Sequence, residues 1–340
     1  MFLIHTPPDH AEVVARAVVG ACRLDGWSAP VQPQLLHRLF NRLLGKDFDF
    51  ETLPPLEATD VAATLRSQAE RDELIQLIVV MEILANPLPQ RLADSVVRWA
   101  RALHVHERAL TYVRDLAHGE MAKAVHDFYR LNYIGDLDRR APHFKALVRR
   151  VGDKAYALTA EPNAAEAARW ERLRDNPRGS IGHTLSEFYA LRGFKLPGQD
   201  GSVNAAVAQH DWIHVLGDYG TTPLGEIEVL SFQTAATRTP GGMLSLVGVL
   251  ALFESGLMPA SLLVHDQPGH ALDVPGGVDR MADAIARGTA CRTDLLLDVD
   301  FFKVAGESLE DVRARFGVPP KGRQVADLDP YGAMKLPPNG

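Results

Sequence analysis

Apolar residues recur at intervals of three and four along most of the chain, and that recurrence constrains it to an all-α fold. Leu35, Leu36, Leu39, Phe40, Leu43 and Leu44 keep this spacing, as do Leu74, Leu77, Ile78, Met81 and Leu84. Such intervals line one side of a helix, whereas a half-buried strand needs strict alternation. Pairs of β-branched residues such as Val79-Val80 are short and sit inside the helical period. Pro54-Pro55 and Asn86-Pro87-Leu88-Pro89 interrupt it. Proline lacks an amide hydrogen and its ring clashes with the preceding turn, so helices stop there. Five or six short helices are expected between Ala11 and Tyr129.

A length of 340 residues is large for one helical core, and 46% hydrophobic residues can fill more than one. Two helical domains are expected, covering residues 1–135 and 179–320. Between them, 136–178 reads as a connector with one or two exposed helices, broken at Pro142, Pro162 and Pro177. The domain boundary falls between 131 and 150. The second apolar block runs from about Ser180 to Gly317, and 321–340 reads as a loosely held tail.

The formal charge of −7 gives no electrostatic footprint for a phosphate backbone, so nucleic acid is not an expected partner. Cys22 and Cys291 are the two cysteines, far apart and without a Cys-x-x-Cys partner. Neither a disulfide framework nor a cysteine zinc site is signalled, and a reducing cytoplasm fits. The start, Met1-Phe2-Leu3-Ile4-His5-Thr6-Pro7-Pro8, lacks the basic and apolar runs of a secretion signal. The longest apolar stretch, Met243 to Phe253, stops at Glu254, well short of the roughly 20 residues that span a bilayer. It reads as a buried helix, with peripheral contact at the inner face of a membrane as the most that lipid could involve.

The chemistry concentrates at Gln209-His210-Asp211-Trp212-Ile213-His214-Val215-Leu216, which reads as a helix. Taking His210 as origin, His214 lies about 40° and Asp211 about 100° around the axis. The three polar groups share one sector, and Trp212, Ile213 and Val215 are free to pack. Two imidazoles one turn apart plus a carboxylate offer nitrogen and oxygen ligands to a borderline or hard divalent metal. Gly217-Asp218-Tyr219-Gly220-Thr221-Thr222-Pro223 then forms a turn, with Thr222 as cap and Pro223 at the first position of a new helix. Glu226, in the first turn of that helix, comes back beside the first as a fourth ligand, and Gly225 lets the backbones approach. The competing reading makes the histidines surface or core residues and the carboxylates solvated charges. The combined spacing argues for metal. Asp218 and Tyr219 are candidates for proton transfer or substrate orientation by position.

His210, Asp211, His214 and Glu226 match the signature of the coenzyme Q biosynthesis protein 4 family, His-Asp-x-x-His followed after eleven residues by Glu. Gly217 to Thr221 looks like that family's turn. Gly182 to Tyr189, Ala286-Arg287-Gly288 and Ser308 to Arg313 extend the resemblance over about 176–318. It implies zinc or, as alternatives, iron, cobalt, manganese or magnesium. It also implies a prenylated or otherwise hydrophobic small-molecule partner, a biosynthetic complex, and a part in ubiquinone assembly by oxidative decarboxylation of a benzoquinone precursor. Two departures stand out: Val203-Asn204-Ala205-Ala206-Val207-Ala208 replaces the usual aromatic and arginine-rich lead, and the expected tryptophan and glutamate are missing around Asp300-Phe301-Phe302. The first half, over Arg71 to Tyr129, more loosely resembles the tellurite-resistance TerB-like helical domain. There the inter-helix turn Ala85 to Pro89 lacks acidic residues.

Two rival functions remain. A His-Asp phosphohydrolase would add His183 as ligand and leave Glu226 dispensable. A non-catalytic lipid-binding scaffold would lose stability without metal but have no turnover to lose. A homo-oligomer is compatible with each. His104-Val105-His106-Glu107 with His118 and His126 scatter over several faces and read as structural. His265-Asp266 and His270 sit on a Pro-Gly loop and read as chance, or as a loop over the site. The glycines of Pro240-Gly241-Gly242 and Val274-Pro275-Gly276-Gly277 lack a preceding strand, so nucleotide binding is not indicated. Leu244 to Phe253 read as core, or as an apolar wall for a prenyl chain.

Overall fold

The computed structural model describes residues 2–120, 161–237, 240–258, 269–329 and 331–336. Among the described residues every regular element is helical. A single isolated bridge joins Ser180 to Ser308. The periodic apolar spacing thus yields an all-α fold.

In the first half α1 (Ala11–Cys22), α2 (Val31–Leu44), α3 (Ala58–Thr64), α4 (Gln68–Ile83), α5 (Gln90–Ala102) and α6 (Arg108–Ala117) follow one another. Helix α4 lies against α1, α5 and α6. Its residues Leu74, Ile75, Leu77, Ile78, Val79 and Val80 are all buried, so apolar groups occupy every side of a central helix. Helices α2 and α5 show one apolar face instead.

The second half begins with α7 (Ala164–Glu171) and α8 (Ile181–Arg192), then α9 (Asp211–Gly217), α10 (Pro223–Ala236) and α11 (Pro240–Phe253). After them come α12 (Gly277–Ala290), α13 (Phe301–Val304), α14 (Leu309–Phe316) and α15 (Arg323–Leu328). Helix α10 is the hub, flanked by α11 and α12 with α9 at its start. A Cβ on Gly288 would stand 2.3 Å from the Phe232 carbonyl oxygen, which shows how closely α12 approaches α10. Met243 to Phe253 form the buried part of α11, the core alternative of the two expected for that stretch.

The two halves are packed together. Helix α11 lies on α4 and α6, and α12 lies on α2. Arg38 Nε meets Asp279 at 2.8 Å and Arg42 meets Asp283 at 3.3 Å. One buried apolar cluster runs from Phe2 to Ala333 through both. The boundary expected at 131–150 lies outside the described residues. Most of residues 161–178 are exposed, while Trp170 and Glu166 are buried and hydrogen-bonded to each other at 3.1 Å.

The described part of the tail is not loose. Lys321 pairs with Asp329, whose other oxygen lies 3.1 Å from Arg280, and Arg280 in turn pairs with Glu228 on α10. Four charges removed from water are tolerable because each has a partner of opposite sign. The tail's polar composition hid this, since the partners lie on distant helices.

Candidate metal centre

A 3-10 turn, Val207–His210, leads directly into α9, so the continuous helix read from Gln209 onward is a tighter turn followed by an α-helix. The angular relation survives: the His210 and His214 rings lie side by side, centroids 5.2 Å apart. Asp211 follows at the head of α9. Trp212 turns the other way and stacks on Phe301, with 5.4 Å between centroids and planes 7° apart. The turn after α9 forms as its residues require. Asp218 adopts the left-handed conformation at φ 57, and Thr222 caps α10 by accepting from the Gly225 amide at 3.1 Å. A Cβ on Gly225 would lie 2.1 Å from the Gly220 carbonyl oxygen, so only glycine allows the turn to close this tightly before Glu226.

The four expected ligands meet. Donor atoms of His210, Asp211 and His214 all lie within 4.8 Å of one another. Glu226 bridges to both imidazoles, its oxygens 3.5 Å from His214 Nε2 and 3.8 Å from His210 Nε2. His210 Nε2 and Asp211 are 3.3 Å apart. Ligand bonds of about 2.1 Å in a tetrahedron place ligand atoms about 3.4 Å apart. Two of the three separations, 3.3 and 3.5 Å, lie near that value, the third is longer at 3.8 Å, and all three exceed the roughly 2.7–2.9 Å of a charge-assisted hydrogen bond.

Both histidines are oriented from behind. His210 Nδ1 lies 2.7 Å from the Val207 carbonyl, and His214 Nδ1 lies 3.2 Å from the Tyr219 carbonyl. A carbonyl only accepts, so each Nδ1 carries the hydrogen and, in the neutral ring, each Nε2 keeps its lone pair. Both lone pairs face carboxylates. His214 Nε2 is buried without a hydrogen-bond partner among the described residues. An orphaned nitrogen aimed at two carboxylates and a second imidazole fits a divalent cation. Burial lowers the pKa of His214, but the Glu226 and Asp211 carboxylates and the hydrogen bond to Tyr219 together outweigh it and the net direction is up. Burial raises Glu226, but His214, His210 and Arg192 together outweigh it and the net direction is down.

Tyr189 and Arg192, one turn apart on α8, complete the surroundings. The Tyr189 hydroxyl donates to Asp211 Oδ2 in a short bond. Burial, and then the Asp211 charge, push its pKa well up. Arg192 lies over the Phe188 ring at 3.9 Å and donates through Nε to Thr221 Oγ1 at 3.0 Å. The side chains of His210 and Glu226 are 19% and 23% exposed against none for His214, so the cluster opens to solvent on their side. Neither Tyr189 nor Arg192 was singled out from the sequence as a site residue. Their spacing of three on one helix is a common pattern, and only the packing of α8 on α9 gives it meaning.

Asp218 and Tyr219, the candidates for proton transfer or substrate orientation, both make contacts that hold the turn. Asp218 accepts from the Ala333 amide at 2.8 Å, and the buried Tyr219 hydroxyl receives a hydrogen bond from Arg287 at 2.6 Å. Burial, with smaller contributions from Glu228 and Asp283, raises the Tyr219 pKa against the opposing charge of Arg287. His183 is engaged elsewhere, with Nδ1 3.0 Å from the Arg174 carbonyl and Nε2 3.5 Å from Glu187. Glu107 caps α6, and His118 contacts Gln90, in line with the structural reading of that group. His126, His265 and Asp266 lie outside the described residues. His270 gathers with the buried Glu254 and the exposed Asp273, its Nδ1 3.5 Å from Asp273 and its Nε2 3.3 Å from Asn86.

No family model matches the sequence, and no curated protein matches it. Among solved structures, the crystal structure of a "Putative ubiquinone biosynthesis protein" from Nostoc punctiforme is similar, with a TM-score of 0.34 and 18% identity over 72% of this chain and 96% of that one. A likeness of that size shows nothing about function.

Proposed function

We propose that the protein is a divalent-metal-dependent enzyme acting on a prenylated aromatic precursor of a quinone, the reaction being an oxidative decarboxylation in which dioxygen is the oxidant, the ring carboxylate leaves as carbon dioxide and a hydroxyl takes its place, with zinc as the first metal to test. The observation that carries the metal reading is the orphaned His214 Nε2, fixed by the Tyr219 carbonyl and aimed at Glu226. The substrate rests on the match of His210, Asp211, His214 and Glu226 to the coenzyme Q biosynthesis protein 4 signature. When bound, the metal supplies Lewis-acid polarisation of a substrate oxygen or of water.

This chain's own residues perform the remaining tasks. The four residues hold two carboxylates beside two imidazoles, a partly buried arrangement whose negative charge a divalent cation between them would neutralise. Tyr189 keeps one Asp211 oxygen occupied and so fixes which oxygen faces the cluster. The open side by His210 and Glu226 leaves an approach for substrate, as catalytic sites do and closed structural sites do not. Arg192, next to that opening, offers a guanidinium to the carboxylate of such a precursor.

Elemental mass spectrometry on protein purified without added metal, comparing wild type with His214→Ala and Glu226→Ala, tests the reading. About one zinc, iron, cobalt or manganese per chain is expected in the wild type and loss in both variants. Metal retained in Glu226→Ala but not His214→Ala would favour the phosphohydrolase alternative. A wild type that stays metal-free after reloading would remove the basis of the proposal.

A further inference from the structure

Helix α9 is seven residues long and carries His214 at its centre. Helices this short do not persist in isolation, and every α-helix leaves its last four carbonyls without internal partners. Here each has found one. The His214 carbonyl takes the Tyr219 amide at 2.9 Å. Arg313, from α14, donates through its terminal nitrogen to the Val215 carbonyl at 3.1 Å and through Nε to the Leu216 carbonyl at 2.8 Å. Arg287, from α12, donates to the Gly217 carbonyl at 2.9 Å.

Both guanidinium groups are themselves anchored. Arg313 is held by Glu310 at 2.6 Å, and Arg287 donates through Nε to the Pro319 carbonyl at 2.9 Å. Arg287 also grips the Tyr219 hydroxyl. Tyr219 is the residue whose carbonyl receives His214 Nδ1. Two cations therefore stand at the negative end of the helix dipole and clamp the segment between His214 and its orienting carbonyl.

We propose that Arg287 and Arg313 are positioning residues of the metal centre, which fix the His214 ring so that its Nε2 presents a lone pair to the cluster. This rests on the metal reading above. Neither arginine is among the four ligand residues. Their action passes through the α9 carbonyls and the Tyr219 turn. Loss of an orienting contact behind a metal-bound histidine typically weakens metal binding about 10-fold to about 100-fold.

The test uses the full chain and the variants Arg287→Met, Arg313→Met, Arg313→Lys and the control Arg315→Met, whose side chain pairs with Glu307 on the surface. Zinc affinity is measured by competition with a chromophoric chelator, and the His214 tautomer by imidazole nitrogen NMR on metal-free protein. The Met variants are expected to bind zinc about 10-fold to about 100-fold more weakly and to lose the single Nδ1-protonated tautomer. Arg315→Met is expected to match wild type. Arg313→Lys keeps the charge but not the two-pronged geometry, so an intermediate loss is expected, and it carries the test if the Met variants do not fold. Unchanged zinc affinity and tautomer in variants that merely melt earlier would overturn the positioning role and leave the metal reading standing. A wild type without zinc affinity would overturn both.

Discussion

The pairing of His214 with Glu226 makes stability and metal binding respond to pH with opposite sign. In the metal-free chain His214 is raised by Glu226 despite burial, and Glu226 is lowered by His214 despite burial. A raised histidine stabilises fully below its ordinary value of about 6.5 and loses that contribution as pH climbs through the raised value. A lowered carboxyl stabilises above its ordinary value of about 4.3 and loses that contribution as pH drops through the lowered one. Metal, in contrast, must displace the proton from His214 Nε2, so its affinity grows with pH. Melting curves from about pH 5 to about pH 9, with chelator and with zinc, should show a gap in Tm that widens toward high pH. A gap independent of pH would mean that His214 is not a ligand. The ligand identities were legible in the sequence because His210, Asp211 and His214 are neighbours in one short segment. Tyr189 was not, because its hydroxyl meets Asp211 only after α8 docks.

At the level of elements, the unit that builds the site is α9, the turn, and the first turn of α10. Its cap, Thr222, and its first helical residue, Pro223, follow local rules and were readable in advance. The tight spot is Gly225, where a Cβ would meet the Gly220 carbonyl oxygen at 2.1 Å. Backbone cannot retreat as a flexible side chain does, so Gly225→Ala is expected to cost about 1–3 kcal/mol and to displace Glu226. Denaturant unfolding combined with zinc titration checks this. A variant with wild-type stability and affinity would show that the turn has slack. The other end of α9 was not legible. Arg313 and Leu216 are 97 positions apart, and no local pattern announces that a guanidinium will close a distant helix.

Over the whole molecule, the shared core sets the cooperativity. Apolar contacts between α11 and α4, and between α12 and α2, couple the halves more directly than a linker between separate domains would. Trp27 and Trp99 report on the first half, and Trp170 and Trp212 on the second. Two variants, each keeping only one of these tryptophan pairs, are expected to give coincident unfolding midpoints by fluorescence. Separate midpoints would show two independently stable domains.

The sequence by itself determined what depends on neighbours along the chain. Apolar spacing of three and four made the elements helices, prolines and Thr222 set their ends, and the His-Asp-x-x-His segment fixed which side chains could share one sector. Ser180 and Gly317 were readable as limits of the second apolar block, and both are helix caps in the structure. Tertiary structure alone decided which elements gather. It brought Tyr189 to Asp211, two arginines to the end of α9, Lys321 and Asp329 into a buried network, and α2 against α12. Those pairings arise from packing between residues far apart in the chain, where shape and charge must match across surfaces that no local period describes.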